Sequence, residues 1–316
     1  MVYLSMDVDC AVGDASGSHG VLGVDERYVA PTLDRMMPRF LDFCAEHGIV
    51  LTFFLVAETI NSPARRAVVR RIVAEGHEIA SHSLTHPKSF GLLDAATLKA
   101  EIGDSKRLIE DMGGVEVTGF RAPGFYINDR VLEAVIEAGY RYSSSVNGAL
   151  GYNVAKMVVG SIANVASRGR SVSYHVEPGC LFAPRFPYQP AAGQFWRAGN
   201  GPSFCEIPVS TGFGQMLPAV TFATDKMLPA PLRTAFYKRM IDRLPVANVV
   251  LHDFEFLESD DFHPSTALPR TTAMMWHVPR ESKYKLLLEM ARSGVPFGLL
   301  RDLAPAPGVT RAAAPA

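Results

Sequence analysis

Two imidazoles four residues apart, in His82-Ser83-Leu84-Thr85-His86, can hold one metal ion if the chain between them coils like a single helical turn. The preceding run, His77-Glu78-Ile79-Ala80-Ser81, is short and alternating, and reads as a buried strand that delivers this turn to a strand end. Near the start of the chain, Leu4-Ser5-Met6-Asp7-Val8-Asp9-Cys10 puts two carboxylates on what reads as a first strand. Acidic groups are costly there unless something pairs with them. One carboxylate with two imidazoles leaves coordination positions open for water and substrate, as catalytic zinc sites require. The same donor set also serves non-haem iron oxygenases. The pattern points to metal-dependent chemistry, with hydrolysis as the first reading.

Two further segments carry reactive side chains at strand ends. Gly119-Phe120-Arg121-Ala122-Pro123-Gly124-Phe125 ends a short apolar run in an arginine just before a Pro-Gly turn. Such an arginine can fork onto a carboxylate with two parallel bonds and fix both its orientation and its ionisation. Val249-Val250-Leu251-His252-Asp253-Phe254 is an apolar strand ending in a histidine, with Asp253 and Glu255 close behind. A histidine there can act as a general acid when its pKa lies near the working pH. Each segment alone has a plainer reading: a solvated turn arginine, a core histidine, an Asp-x-Asp cap. Four of them at strand ends favour a site.

In chain order the segments are Asp-x-Asp, His-Ser-x-x-His-Pro, Arg-x-Pro and Leu-His. The ordered set resembles the polysaccharide deacetylase family, the NodB-homology group of carbohydrate esterases, over roughly residues 1 to 300. That resemblance implies a distorted (β/α) barrel of seven or eight strands, with long loops at the catalytic face and a divalent metal at the strand carboxyl ends. It implies hydrolysis of an N-acyl group, usually acetyl, from an amino sugar. Asp7 then matches the catalytic base, Asp9 the carboxylate ligand, and His82 and His86 the histidine ligands. Arg121 matches the residue that positions the base, and His252 the acid that protonates the leaving amine. Pro123, Phe125 and Leu251 are expected to line the substrate, and a backbone amide near the Arg121-Ala122-Pro123 turn to assist the developing oxyanion.

The chain departs from the resemblance in two places. Its first motif is Asp7-Val8-Asp9-Cys10, where many members carry adjacent aspartates followed by glycine. The spaced form is similar to a branch with deacylases of lipid-linked sugars, peptidoglycan deacetylases and some ureide hydrolases. The usual Asp-Trp pair after the arginine segment is also missing, since Trp196 has no adjacent aspartate. Partners for Arg121 and His252 are therefore left unassigned. The expected metal is one zinc ion, with cobalt, nickel, manganese or iron as alternatives. The expected partner is an N-acylated amino sugar or small glycan; a formyl group on a lipid-linked sugar and a cyclic ureide are the rival substrates.

Composition sets wide bounds. The 316 residues carry a formal net charge of -1 and an apolar share of 48%. No Lys/Arg run supports nucleic-acid binding, and the longest apolar stretches fall short of a membrane span. Cys10, Cys44, Cys180 and Cys205 lack zinc-finger spacing and read as separate buried thiols, with no thiolate ligand expected from Cys10. The first strand starts at about Val2, so no secretory signal is expected and the compartment reads as cytoplasmic.

The elements that must position these groups alternate. Helical spacing is read over Thr32–His47, Ser62–Ala74, Asp94–Met112, Asp129–Ala138, Pro231–Arg243 and Glu281–Ala291. Strands are read at Ile49–Leu55, Thr118–Arg121, Tyr140–Val146, Phe204–Val209 and Val295–Leu300. One deacetylase-like domain over residues 1–302 is the simplest division, since such barrels run near 250 residues. The rhythm fails over 147–202, which reads as an irregular insertion over the site, and 303–316 reads as a disordered Ala/Pro-rich tail. Loops are also expected over Ala11–Pro31 and Phe254–Met275. The histidines His19, His47, His77, His175, His263 and His277 have no paired motif; His19 and His175 lie in loops within reach of the site.

Overall fold

β1 (Val2–Val8) is buried along its whole length, and its alternation divides the protein's two cores. Leu4, Met6 and Val8 face a large apolar cluster beneath the helices, whereas Tyr3 joins a small inner cluster with Phe54, Ala80, Tyr142, Cys205, Ile207 and Leu300. Successive side chains of a strand point to opposite faces, so Ser5 and Asp7 project inward with Tyr3. The computed structural model describes residues 1–10, 30–87, 90–166, 177–201, 203–263 and 280–305. The expectations for residues 11–29, which include His19, for His175, for residues 264–275 and for most of the Ala/Pro tail lie outside those residues.

β1 pairs in parallel with β2 (Thr52–Leu55), which is followed by β3 (Glu78–Ser81), β4 (Gly119–Phe120) and β5 (Tyr142–Ser143). A small antiparallel pair, β6 (Pro190–Ala191) with β7 (Gln194–Ala198), precedes β8 (Cys205–Glu206), which adds to β5 in parallel. A second small pair, β9 (Thr211–Gly212) with β10 (Leu217–Pro218), leads to β11 (Ala247–His252) on the other side of β1. β12 (Phe297–Gly298) pairs with the first residues of β1. The order β11-β1-β2-β3-β4-β5-β8 is a curled half-barrel of parallel strands, the distorted barrel expected. No ladder closes it among the described residues. Ser210 N donates to Asn248 O at 3.1 Å and Val250 N donates to Ala219 O at 2.7 Å, so irregular chain bridges the gap between β8 and β11.

Helices cover the outer face, several of them begun or ended by recognisable chemistry. α1 (Met37–His47) ends on Gly48 in the left-handed region, where glycine carries no side-chain penalty. In α2 (Pro63–Ala74) Pro63 takes the first turn and the Ser62 hydroxyl accepts from Arg65 N. α3 (Ala95–Gly113) is capped by Asp94, which accepts from Ala96 N and Thr97 N, and α4 (Asp129–Glu137) by Asn128. The 147–202 stretch is less irregular than its composition suggests, because α5 (Leu150–Ala166) occupies much of its first half. α6 (Thr221–Met227), α7 (Ala230–Arg243) and α8 (Arg280–Arg292) complete the described helices.

The floor of the barrel is polar as well as apolar. Buried Glu78 accepts from Thr52 Oγ1 at 2.7 Å, Tyr142 OH at 2.9 Å and Arg301 N at 3.1 Å. The Tyr142 ring reaches it only because Gly119 lacks a side chain; a Cβ there would sit 2.1 Å from the ring. Gly119→Ala is therefore expected to destabilise the fold by about 1–3 kcal/mol, the usual cost of overpacking. Urea unfolding checks this, and an unchanged midpoint would show that the ring can move aside.

Candidate active site

Every candidate side chain sits at or just past the carboxyl end of a parallel strand. Asp7 of β1 lies in register with His252 of β11 on one side and Phe54 of β2 on the other. Asp9 follows β1, His82 follows β3, and Arg121 follows β4, with its amide donating to Ser81 O at 2.9 Å. Parallel register thus gathers groups distant in sequence at one end of the barrel, where ligand sites of such folds form.

Asp9, His82 and His86 form the tightest group, their candidate ligand atoms lying within 4.8 Å of one another. His82 Nε2 and His86 Nε2 approach Asp9 Oδ1 at 3.4 and 3.6 Å. His82 Nδ1 lies 2.8 Å from the Arg121 carbonyl oxygen. A proton on Nδ1 satisfies that carbonyl and turns the lone pair of Nε2 toward Asp9, the support that metal-binding imidazoles normally have. Asp9 Oδ1 is buried without a hydrogen-bond partner among the described residues. Such an orphaned oxygen between two imidazole nitrogens suits a cation. Burial raises the Asp9 carboxyl and lowers the His82 imidazole from their ordinary values.

The loop bearing the histidines is held from α3 rather than by helical bonds of its own. Glu101 accepts from Leu84 N and Thr85 N at 3.0 Å each and from Thr85 Oγ1 at 2.6 Å. His86 N donates to Ser83 Oγ at 2.9 Å. Cys10, Ser83, His86 and Phe125 all have positive φ, of 53°, 74°, 58° and 58°. Left-handed backbone at non-glycine residues costs about 1–3 kcal/mol each and collects at functional sites. At the other wall, Cys10 N donates to Asp253 Oδ2 at 2.7 Å, which fixes the turn after Asp9, while burial pushes the Cys10 thiol well up.

Arg121 is fully buried and uses its guanidinium on several partners. Nη1 donates to Asp7 Oδ1 at 2.5 Å, Nη2 to Ser5 Oγ and Ser144 Oγ at 2.9 Å, and Nε to Ser144 O at 2.9 Å. The guanidinium carbon stacks 4.0 Å from the Phe54 ring centroid. The two parallel bonds expected onto one carboxylate are replaced by one bond, because the second prong is taken by the serines. Burial pushes the Asp7 carboxyl up, but Arg121, His82 and His252 outweigh it and hold Asp7 below its ordinary range. Asp7 Oδ2 faces His252 Nε2 at 3.7 Å and His82 Nε2 at 4.0 Å.

His252 lies between the rings of Phe222 and Phe254, with centroids at 4.7 and 5.0 Å. Burial lowers its pKa, yet Glu255, 3.7 Å from Nδ1, together with Asp7 and Asp9, carries it to about 9. These carboxylates favour the protonated imidazole at neutral pH. Asp7 thus supplies the partner that sequence reading left open for Arg121, and Glu255 is the carboxylate nearest His252 Nδ1, at 3.7 Å and beyond hydrogen-bond reach.

One expectation changes. Leu251 pairs with Met6 and belongs to the outer core, so strand alternation turns its side chain away from the face that His252 occupies. Of the amides of the Arg121-Ala122-Pro123 turn, Arg121 N is engaged on Ser81 O and Ala122 N on Ser145 Oγ at 2.9 Å, and proline has none. Pro123 and Phe125 form the short turn after Arg121, where Phe125 meets Tyr152 edge-on. Sequence reading missed Glu101 and Ser144, and named Glu255 behind His252 without giving it a role. Glu101 could have been noticed as a carboxylate on the buried stripe of α3, among Leu98, Ile102, Ser105 and Ile109.

Fold and site together give a parallel half-barrel with a candidate cation site of two histidines and one carboxylate, and a buried Asp–Arg pair beside His252. Residues 21–143 match the family model for polysaccharide deacetylase. A peptidoglycan-N-acetylglucosamine deacetylase of Bacillus cereus is 31% identical over 122 residues, 37% of this chain and 55% of the relative. A chitooligosaccharide deacetylase of Sinorhizobium fredii is 32% identical over 103 residues, 32% of this chain and 46% of the relative. The chain spans about half the length of these curated relatives. The crystal structure of a proposed polysaccharide deacetylase from Mycobacterium smegmatis shares the fold, with a TM-score of 0.50 and 17% identity over 99% of this chain and 94% of that one. Over residues 21–143 the chain is thus similar to the polysaccharide deacetylase family. The matched stretch includes His82, His86 and Arg121, whereas Asp7, Asp9 and His252 lie outside it and join them through the fold.

Breaking a buried ion pair by removing one partner costs about 3–5 kcal/mol, because the other charge is stranded. Arg121→Met keeps an unbranched apolar stem but strands Asp7, and should lower unfolding free energy by about that amount. Denaturant titration at neutral pH measures it. A loss below about 1 kcal/mol would mean that Asp7 escapes burial once the arginine is gone.

Proposed function

We propose that the chain is a metal-dependent N-deacetylase that hydrolyses the acetamido group of an amino sugar in a glycan or glycan precursor. The observation that carries this reading is the convergence, at one barrel end, of the Asp9–His82–His86 donor group with Asp7 and His252. The residues fit a divalent ion: three donors meet around an unsatisfied carboxylate oxygen, and two imidazoles with a carboxylate suit zinc. When bound, the ion would supply Lewis acidity toward the acyl carbonyl and a lowered pKa for water.

The chain's own residues divide the proton work. Asp7, held ionised by Arg121, accepts a proton from the attacking water. Water oxygen bonds to the acyl carbon, and the carbon–nitrogen bond breaks as His252 donates its proton to the departing nitrogen. Acetate and a free amine leave, so every proton has a source and a destination. An oxygenase with the same donor set has no evident use for the Asp7–Arg121 pair or for a protonated His252. Among the described residues no helix is long and apolar enough to cross a membrane. Separate free thiols at Cys10, Cys44, Cys180 and Cys205 suit a reducing compartment, in keeping with a cytoplasmic setting.

The reading is tested by acetate and amine release across a panel of N-acetylated amino sugars with added zinc or cobalt. No release from any of them, with metal bound, would reject it. His82→Ala/His86→Ala should lose stoichiometric metal. Asp7→Asn should keep metal and lose most turnover, whereas Asp9→Asn should weaken the metal itself; equal metal loss in both would merge the roles assigned here.

His252→Ala should lower kcat by about 10²–10⁴, the span of acid–base catalysis, with normal metal content. His252 is active while protonated, so activity falls as pH rises through its pKa. A bound dication repels the imidazolium, placing that alkaline limb at or below about pH 9. The limb should vanish in His252→Ala. A persisting limb would assign it to another group.

A further inference from the structure

His252 is followed closely by a carboxylate that belongs to a larger buried array of charge. Glu255 Oε1 accepts from the backbone amide of His252 at 2.8 Å and lies 3.7 Å from its Nδ1. Thr221 Oγ1 on α6 lies 2.6 and 2.8 Å from the two Glu255 oxygens. Lys283 on α8, only 5% exposed, places Nζ 2.5 Å from Glu255 Oε2 and pairs as well with Asp225 on α6. Arg233 on α7 in turn reaches Asp225 Oδ1 at 2.9 Å. From the barrel interior outward the charges alternate: Arg121, Asp7, His252, Glu255, Lys283, Asp225, Arg233.

Burying such a series is weak as a device for stability alone, since well-packed apolar residues commonly do as well. Its placement suits another purpose. The groups facing the His252 imidazole are Asp7 of β1 on the Nε2 side and Glu255 on the Nδ1 side, with Asp9 and Asp253 further off. The rings of Phe222 and Phe254 fill the remaining faces. Glu255 is thus the group on the far side of the imidazole from Asp7, and Lys283 is the amine that holds it there; burial lowers that amine to about 7, while the adjoining Glu255 and Asp225 carboxylates favour its charged form. Without Lys283, Glu255 keeps the amide and the threonine hydroxyl but loses the tether to α8.

We propose that Glu255 is the positioning residue of His252 and that Lys283, reaching in from α8, fixes Glu255 in that role. This rests on the reading of His252 as the proton donor. It also explains how the chain manages without the Asp-Trp pair that the arginine segment lacks: the carboxylate comes from three residues beyond the histidine itself.

The test uses the whole 316-residue chain loaded with zinc. Glu255→Gln keeps the shape and removes the charge. It should lower kcat at least about tenfold, change KM by no more than about twofold, and hurt an N-acetyl substrate more than the matching ester, whose leaving group needs less protonation. The His252 titration followed by NMR should move to lower pH by about one unit or more. Lys283→Met should also lower kcat, and Glu255→Gln/Lys283→Met should be no worse than Glu255→Gln alone, because both act through one carboxylate. If Lys283→Met does not fold, Lys283→Gln, which keeps a donor toward Glu255, takes its place in the same comparison. An unmoved His252 titration in Glu255→Gln, equal damage to amide and ester, or additive losses in the double variant would each overturn the proposal. The NMR titration needs no substrate, so it decides the positioning role even if acyl release fails and the deacetylase reading falls.

Discussion

A single fully buried arginine sets the terms for the inside of this barrel. Burying an ion costs several kcal/mol, and the cost is recovered only where nearly every donor finds a well-placed acceptor. Arg121 satisfies that condition with Asp7 and Ser5 from β1 and with Ser144 beyond β5, while Phe54 covers its face. Those partners come from across the curl of the sheet, so the arginine ties opposite walls together. Asn248 of β11 joins the same network by donating to Ser144 Oγ at 3.1 Å. The interior could have been filled with branched apolar side chains, as many parallel barrels are. Here the apolar inner cluster is confined to a few residues such as Tyr3, Tyr142 and Leu300, and the upper interior is given over to the ion pair.

That constraint reaches the histidine loop through the backbone. The Arg121 side chain points to Asp7 while its carbonyl oxygen meets His82 Nδ1, so one residue orients both the carboxylate and the imidazole. Glu101 holds the other end of the loop from the covering helix. Positive φ at Ser83 and His86 is the local cost of bringing two imidazoles onto one point without a helix. The strain is sustained because α3 and β4 fix the loop from two sides. Preorganisation of this kind belongs to sites whose ligand groups must be in place before the ion or substrate arrives.

Sequence reading recovers whatever is written as local period or as short motif. The β1, β3 and β11 segments and the helices α1 to α4 follow from apolar spacing and from caps such as Asp94 and Gly48, since those signals act within a few residues. The Asp9–His82–His86 grouping is legible for the same reason: each ligand sits beside a recognisable strand end. α5 is not legible, because Leu150, Val154, Met157 and Val158 are periodic but exposed, and glycines interrupt them. A helix whose apolar residues face away from the core gives no amphipathic pattern pointing inward. The single bond from Arg121 to Asp7, and the approach of Glu255 to His252, depend on which atoms meet across strands and helices. Spacing carries no information about that choice. Leu251 shows the converse error: adjacency to His252 in sequence places it on the opposite face of the sheet.

Asp7 and Asp9 are chemically identical and two residues apart, yet their surroundings push them in opposite directions. Burial raises both, but only Asp7 has an arginine in contact, and its pKa ends lowered while that of Asp9 ends raised. The carboxylate with a permanent counter-ion is already neutralised as an ion pair and has an unshared oxygen turned toward His252. The carboxylate without one carries an orphaned oxygen between two imidazoles, and its charge is accommodated best by a cation placed there. Arg121 therefore does more than orient a base. By claiming Asp7, it leaves Asp9 as the oxygen donor still in need of positive charge, which is the physical ground for proposing different roles for two aspartates of one motif.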